Sequence, residues 1–143
     1  MPNESTYLAT GLSQIQTNKL LLKELEPNIE ELVYNTKRYN EAVCLVLFYT
    51  EEDISAIIQE CIRKTDIPKI IHIGDAYFNF IFLPFSSETE GYTFIKHVEY
   101  KKLHNIEHYY YYEKIRETDF SNEFNFINTF LFSIKEQKEE HLA

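Results

Sequence analysis

Residues 71–84 read IHIGDAYFNFIFLP. Two strand-like apolar runs, Lys69 to Ile73 and Ala76 to Leu83, are separated only by Gly74-Asp75, a pair that can supply positive φ at a tight turn. That spacing predicts a β-hairpin. It leaves no room for the crossover helix that a doubly wound, flavodoxin-like sheet would need at this point.

On the N-terminal side, Ala42 to Tyr49 is a nearly unbroken apolar run, as expected of a strand covered on both faces. Between it and the hairpin, Thr50 and Asp53 make a capping-box-like start, and Ile54, Ile57, Ile58, Cys61 and Ile62 recur at helical spacing. That helix is predicted to end near Asp66, before Pro68. After the hairpin, Thr89 to Leu103 carries Phe94, Ile95 and Val98 at helical spacing, and His108 to Ile115 returns to strand-like aromatics. Ser121 is placed to cap a last helix with Phe124, Ile127, Leu131 and Ile134 on one stripe, ending in a charged, solvated tail. Upstream, Ser13 to Leu25 reads as helix, and Pro27 sits where a first helical residue would, opening a second helix with Ile29, Leu32 and Val33 inward.

The order after the N-terminal helices is β-α-β-β-α-β-α. The expectation is therefore one α+β domain over residues 1–143: an N-terminal helical extension, 1–41, and a core, 42–143. The core is expected to be a ferredoxin-like βαββαβ antiparallel sheet with helices on one face. The most continuously apolar runs, CLVLFY (44–49) and YFNFIFL (77–83), would form its central strands.

Composition bounds function. A chain of 143 residues that is 44% hydrophobic and 15% aromatic has the material for a core, even with 26% charged residues. The formal net charge of -9 disfavours a surface built to neutralise phosphates, so nucleic acid is not the expected partner. No run reaches the ~20 apolar residues needed to span a bilayer, and Met1 to Leu12 lacks the pattern of a secretory signal. Cys44 and Cys61 lie at apolar positions and read as buried thiols of a reducing compartment, without a disulfide. The expectation is a cytoplasmic protein with no membrane partner.

With this topology the chain resembles a degenerate GGDEF domain, the diguanylate cyclase fold of bacterial signalling. LATGL (8–12) resembles the family's leading LTGL and is followed by a helix ending in a basic and aromatic stretch, Lys37-Arg38-Tyr39. IHIGDAYFNFIFLP stands where the family has its RLGGDEF hairpin, apolar strand and proline. The resemblance covers residues 6 to 100, with a weaker echo in the last helix. It implies that the signature pentad is Gly74, Asp75, Ala76, Tyr77 and Phe78. The family's acidic metal ligand is then replaced by Ala76, and the aspartate ending its first strand by the stretch Leu47, Phe48, Tyr49. Divalent-metal phosphoryl chemistry needs carboxylate oxygens at those places. The segment between first strand and hairpin also holds only the helix near Thr50 to Lys64, with no counterpart of the family's guanine-binding helix and loop. What is implied is a scaffold kept without its reaction: no catalytic residue, no metal, no cofactor, and a protein partner or homo-oligomer.

Three constellations have both a functional and a plain reading. Arg63-Lys64-Thr65-Asp66 matches the family's RxxD product-binding tetrad, so Arg63 and Asp66 are candidates for binding cyclic di-GMP; the plain reading is an i,i+3 surface pair at a helix end. The spacing to the signature is two residues longer than usual, and a second match, Arg116 to Asp119, lies far from any signature. His104-Asn105-Ile106-Glu107-His108 spells H-x-x-E-H, which on one helix would offer two zinc ligands, with Glu107 as general base of a hydrolase. The plain reading is a helix-to-strand connection running into Tyr109 to Tyr112. His72 is a lone base or a structural histidine, and the tyrosine run, alternating faces, covers the core on one side and is free for a partner on the other.

Overall fold

The computed structural model describes residues 6–39, 41–115 and 122–142. Four strands, β1 (Val43–Thr50), β2 (Ile67–Ile73), β3 (Ala76–Pro84) and β4 (His108–Lys114), form one sheet in the order β2-β3-β1-β4, every neighbouring pair antiparallel. The helices are α1 (Gln14–Tyr39), α2 (Ser55–Cys61), α3 (Glu88–Lys101) and α4 (Glu123–Leu142). The molecule is thus α+β. The register sets Thr50 opposite Tyr77 on one side and His108 on the other, so the end of β1, the hairpin end of β3 and the start of β4 share one end of the sheet.

All eight residues of β1 are buried, which requires cover on both faces. Val43, Leu45, Leu47 and Tyr49 join Phe78, Phe80 and Phe82 in a core under α1 and α4. Cys44, Val46 and Phe48 join Ile81 and Leu83 under α2 and α3. This corrects the expectation of helices on one face. Leu21, Leu25, Ile29 and Leu32 of α1 are all buried, at ~2 kcal/mol for each such side chain, so α1 contributes on the order of the whole net stability of a domain and is no appendage.

The same stripe explains a second correction. The break expected at Pro27 is absent: α1 runs unbroken for 26 residues with Pro27 inside it. An interior proline costs ~3 kcal/mol, chiefly a lost hydrogen bond to the carbonyl four residues back. Both Lys23 and Pro27 face solvent, so water can serve that carbonyl, while Leu25, Ile29 and Leu32 keep helical spacing straight through the position. Packing outweighs the local penalty.

Two helix boundaries also move. Thr50 belongs to β1, its hydroxyl donating to Glu52 O at 2.7 Å, and α2 stops at Cys61 instead of Asp66. Beyond it, Asp66 N–H donates to Arg63 O at 3.1 Å and Arg63 N–H to Asp66 Oδ2 at 2.8 Å, closing a turn that the helical spacing had concealed. A full capping box, Ser87 with Glu90, starts α3. Ser121, the expected cap of α4, lies outside the described residues, as do Arg116, Asp119 and the side chains of Lys37 and Tyr39. Asn122 Oδ1 accepts from Asn125 N–H at 3.1 Å at the start of α4.

Candidate functional site

The hairpin between β2 and β3 meets the LATGL turn, through residues such as Thr10 and Gly74 that are 64 positions apart. Gly74 takes φ 62, and a Cβ placed there would lie 2.5 Å from Thr10 O and 2.8 Å from Ala9 O. Only glycine allows that approach without strain. Asp75 N–H donates to Ala9 O at 2.9 Å, and Ala9 N–H donates to the Tyr49 hydroxyl at 3.2 Å. The turn at Leu8–Thr10, closed by Gly11 at φ 77, therefore seats on the hairpin and on the end of β1 at once. Ala76 and Phe78 are fully buried, and Tyr77 stacks on His72 with ring centroids 4.1 Å apart. The exposed His72 thus has an aromatic neighbour. Leu47, Phe48 and Tyr49, the stretch where the resemblance implies a lost carboxylate, are buried as well.

Arg63 and Asp66 are brought together, but against each other. Arg63 Nε lies 3.1 and 3.2 Å from the two Asp66 oxygens and Nη2 2.8 Å from Oδ1, and Nη2 also donates to Pro84 O at 3.2 Å and Ser86 Oγ at 3.0 Å. The Asp66 hydrogen bond raises the guanidinium's pKa further. Both Asp66 oxygens are engaged, and its side chain is 1% exposed against 51% for Arg63. Arg63 lines, together with Asp66 and Ser86, a cavity of about 320 Å³ between α2 and α3, whose lining also includes Cys61, Leu83, Glu90, Thr93, Phe94 and His97. Cys61 is only half-buried there, not a core thiol like Cys44, and both are free.

The H-x-x-E-H stretch does not lie on one helix. His104 and Asn105 sit in a short turn, Leu103–Asn105, and His108 is the first residue of β4. The His108 ring is held at both nitrogens, Nε2 2.7 Å from Glu99 Oε2 and Nδ1 2.7 Å from Ile106 O. Glu107 accepts from the Tyr109 hydroxyl and from Lys138 Nζ, and these bonds hold its carboxyl below the usual range. Among the described residues no group of three or more His, Cys, Asp or Glu stands where it could hold a metal ion.

One cluster carries no local sequence signal. Lys138 of α4 reaches Glu107 at 3.1 Å and Glu51, just after β1, at 3.4 Å, with its Nζ 5.6 Å from the Tyr109 ring centroid. Its partners lie 31 and 87 positions away, beyond any spacing rule. The tyrosine run alternates as its period requires. Tyr109 and Tyr111 pack toward α4, against His141 and Phe130, and Tyr110 and Tyr112 lie toward α3, where Lys96 Nζ sits 5.2 Å from the Tyr92 ring and 5.5 Å from Tyr110.

No family model matches this chain, and neither a curated protein nor a solved structure matches it. Among the described residues, no helix is long and apolar enough to cross a membrane.

Proposed function

We propose that this chain is a non-catalytic regulatory or protein-interaction module built on a degenerate GGDEF-like scaffold. The observation that carries the reading is the plugged hairpin. The backbone of Gly74 and Asp75, where a glycine-rich turn could admit a phosphate, is taken by Ala9 and Thr10. Buried Ala76, Phe48 and Tyr49 offer no side-chain oxygen to a divalent cation apart from one phenol already bonded to Ala9 N–H and Glu51. The meeting of LATGL with the hairpin supports the family resemblance, because its two motifs form one structural unit. The helical crossovers from β1 through α2 to β2, and from β3 through α3 to β4, support reading the sheet as ferredoxin-like.

Contact with a protein partner or a second copy falls to the aromatic surface of α3 and β4. There Tyr92 is exposed beside Lys96 and Tyr112, Lys96 lies over the Tyr110 ring, and Tyr100 is exposed further along α3. The free thiols support a reducing, cytoplasmic setting. A second reading, a cyclic di-GMP sensor, is favoured by one observation: Arg63 is half exposed on a cavity. It requires Asp66 to exchange its bonds with Arg63 for a guanine edge. Calorimetric titration with cyclic di-GMP beside Arg63→Ala separates the two. The interaction module predicts no heat in either protein, and saturable binding lost in Arg63→Ala would replace it with the sensor.

A further inference from the structure

Among the described residues, β2 and β4 are the two edge strands of the sheet, each a template for pairing with another chain. On β2, Ile73 and Ala76 close the two-residue hairpin, so the odd residues face β3, and Pro68, Ile70 and His72 present their backbone outward. Pro68 has no N–H to offer, which breaks that ladder. The β4 edge has no proline. Its sequence, His108-Tyr109-Tyr110-Tyr111-Tyr112-Glu113-Lys114, is the most strand-prone aromatic run in the chain.

Ile115 N–H donates to Val43 O at 2.8 Å, so the odd residues of this segment turn to β1, and His108, Tyr110, Tyr112 and Lys114 direct their backbone groups outward. At Tyr110 both outward groups meet the same side chain. Gln137 Nε2 donates to Tyr110 O at 2.7 Å, and Gln137 Oε1 accepts from Tyr110 N–H at 3.4 Å. The amide plane of Gln137, steadied by Ser133 Oγ at 3.0 Å, thereby takes the place of one residue of an incoming strand.

We propose that β4 is a latched pairing edge: Gln137 of α4 blocks antiparallel pairing of β4 with β4 of a second copy, and releasing it opens that dimer. The position of the latch is what gives it force. Of the four outward residues, every antiparallel register of two β4 strands that engages more than two in each copy uses Tyr110. In the register that engages all four, Tyr110 of each copy stands opposite Tyr112 of the other and Tyr111 faces Tyr111 on the two-fold axis, an aromatic self-match. The inference goes beyond the proposed function and does not depend on it.

The test uses the whole chain, comparing wild type with Gln137→Ala by sedimentation velocity over a range of concentrations, with amide exchange read at Tyr110 and Tyr112. In the wild type, Tyr110 N–H is expected to exchange several-fold more slowly than Tyr112 N–H, up to about tenfold for one net hydrogen bond. Gln137→Ala is expected to remove that difference in the monomer and to shift sedimentation toward a dimer. Adding Tyr112→Pro, which deletes an outward N–H without touching the ladder to β1, is expected to restore the monomer. Equal exchange of the two amides in the wild type overturns the proposal, as does a folded Gln137→Ala that sediments like wild type, or a dimer that survives Tyr112→Pro. If Gln137→Ala does not fold, the wild-type exchange comparison alone decides.

Discussion

Replacing Gly74 by alanine tests the seating of the N-terminal turn on the hairpin. The residue sits at φ 62, which costs an L-residue on the order of 1 kcal/mol. The added Cβ would also lie 2.5 Å from Thr10 O and 2.8 Å from both Ala9 O and Thr10 C, backbone atoms that cannot swing aside as a side chain can. The turn must therefore lift. Lifting it forfeits the Asp75 N–H bond to Ala9 O and the Ala9 N–H bond to the Tyr49 hydroxyl, at about 1 kcal/mol each. The expected loss is about 3 kcal/mol. Gly11 provides the control: its φ is 77, but a Cβ there meets nothing within 4 Å, so Gly11→Ala should cost only the conformational part, about 1 kcal/mol. Urea unfolding of the three proteins measures both losses from the midpoint at constant slope. Equal losses for the two substitutions would refute the seating.

Arg63→Ala leaves the buried Asp66 carboxylate with the backbone N–H of residue 63 in place of a guanidinium fork, and should lower stability by about 1–2 kcal/mol. Arg63→Lys should recover less than half, because an ammonium cannot match the fork, and urea midpoints read both. Burial alone would raise the pKa of Glu99, but hydrogen bonds from His108 and Lys96 outweigh it and hold the carboxyl below its ordinary value. A depressed carboxylate stabilises the fold above its unfolded pKa of about 4.3 and loses that contribution as pH falls through the folded value, so stability should fall below about pH 4.3. Glu99→Gln should flatten that fall in a pH series of unfolding midpoints; an unchanged slope would count Glu99 out. Burial pushes the Cys44 thiol up to about 12, so thiolate reagents at pH 8 should label Cys44 at the rate of unfolding and Cys61 sooner, as mass spectrometry of timed samples would show.

The sheet was legible in the sequence because its signals are local. A two-residue gap between apolar runs forces a hairpin, and an unbroken run such as CLVLFY must be covered on both faces. That second inference already required helices on both sides of the sheet, and reading α1 as an appendage missed it. Pro27 misled because local propensity was weighed without the stripe of Leu25, Ile29 and Leu32 that continues through it. The end of α2 was missed because Ile62 and Arg63 continue a helical pattern while Asp66 draws the chain into a turn. At the candidate site, the spacing of Arg63 and Asp66 disclosed the pair, but only the fold supplies Pro84 O and Ser86 as further acceptors for the guanidinium. The seating of Ala9 and Thr10 on Gly74, the Lys138 cluster and the Gln137 latch join residues 27 to 87 positions apart and had no sequence pattern to announce them.

The claim that the scaffold has no cyclase reaction is tested most directly by incubating the pure protein with GTP and magnesium or manganese and separating the nucleotides chromatographically. The plugged hairpin and the buried Ala76, Phe48 and Tyr49 predict that GTP is recovered unchanged, with no cyclic di-GMP above a protein-free control. Accumulation of cyclic di-GMP in proportion to protein concentration would contradict the account.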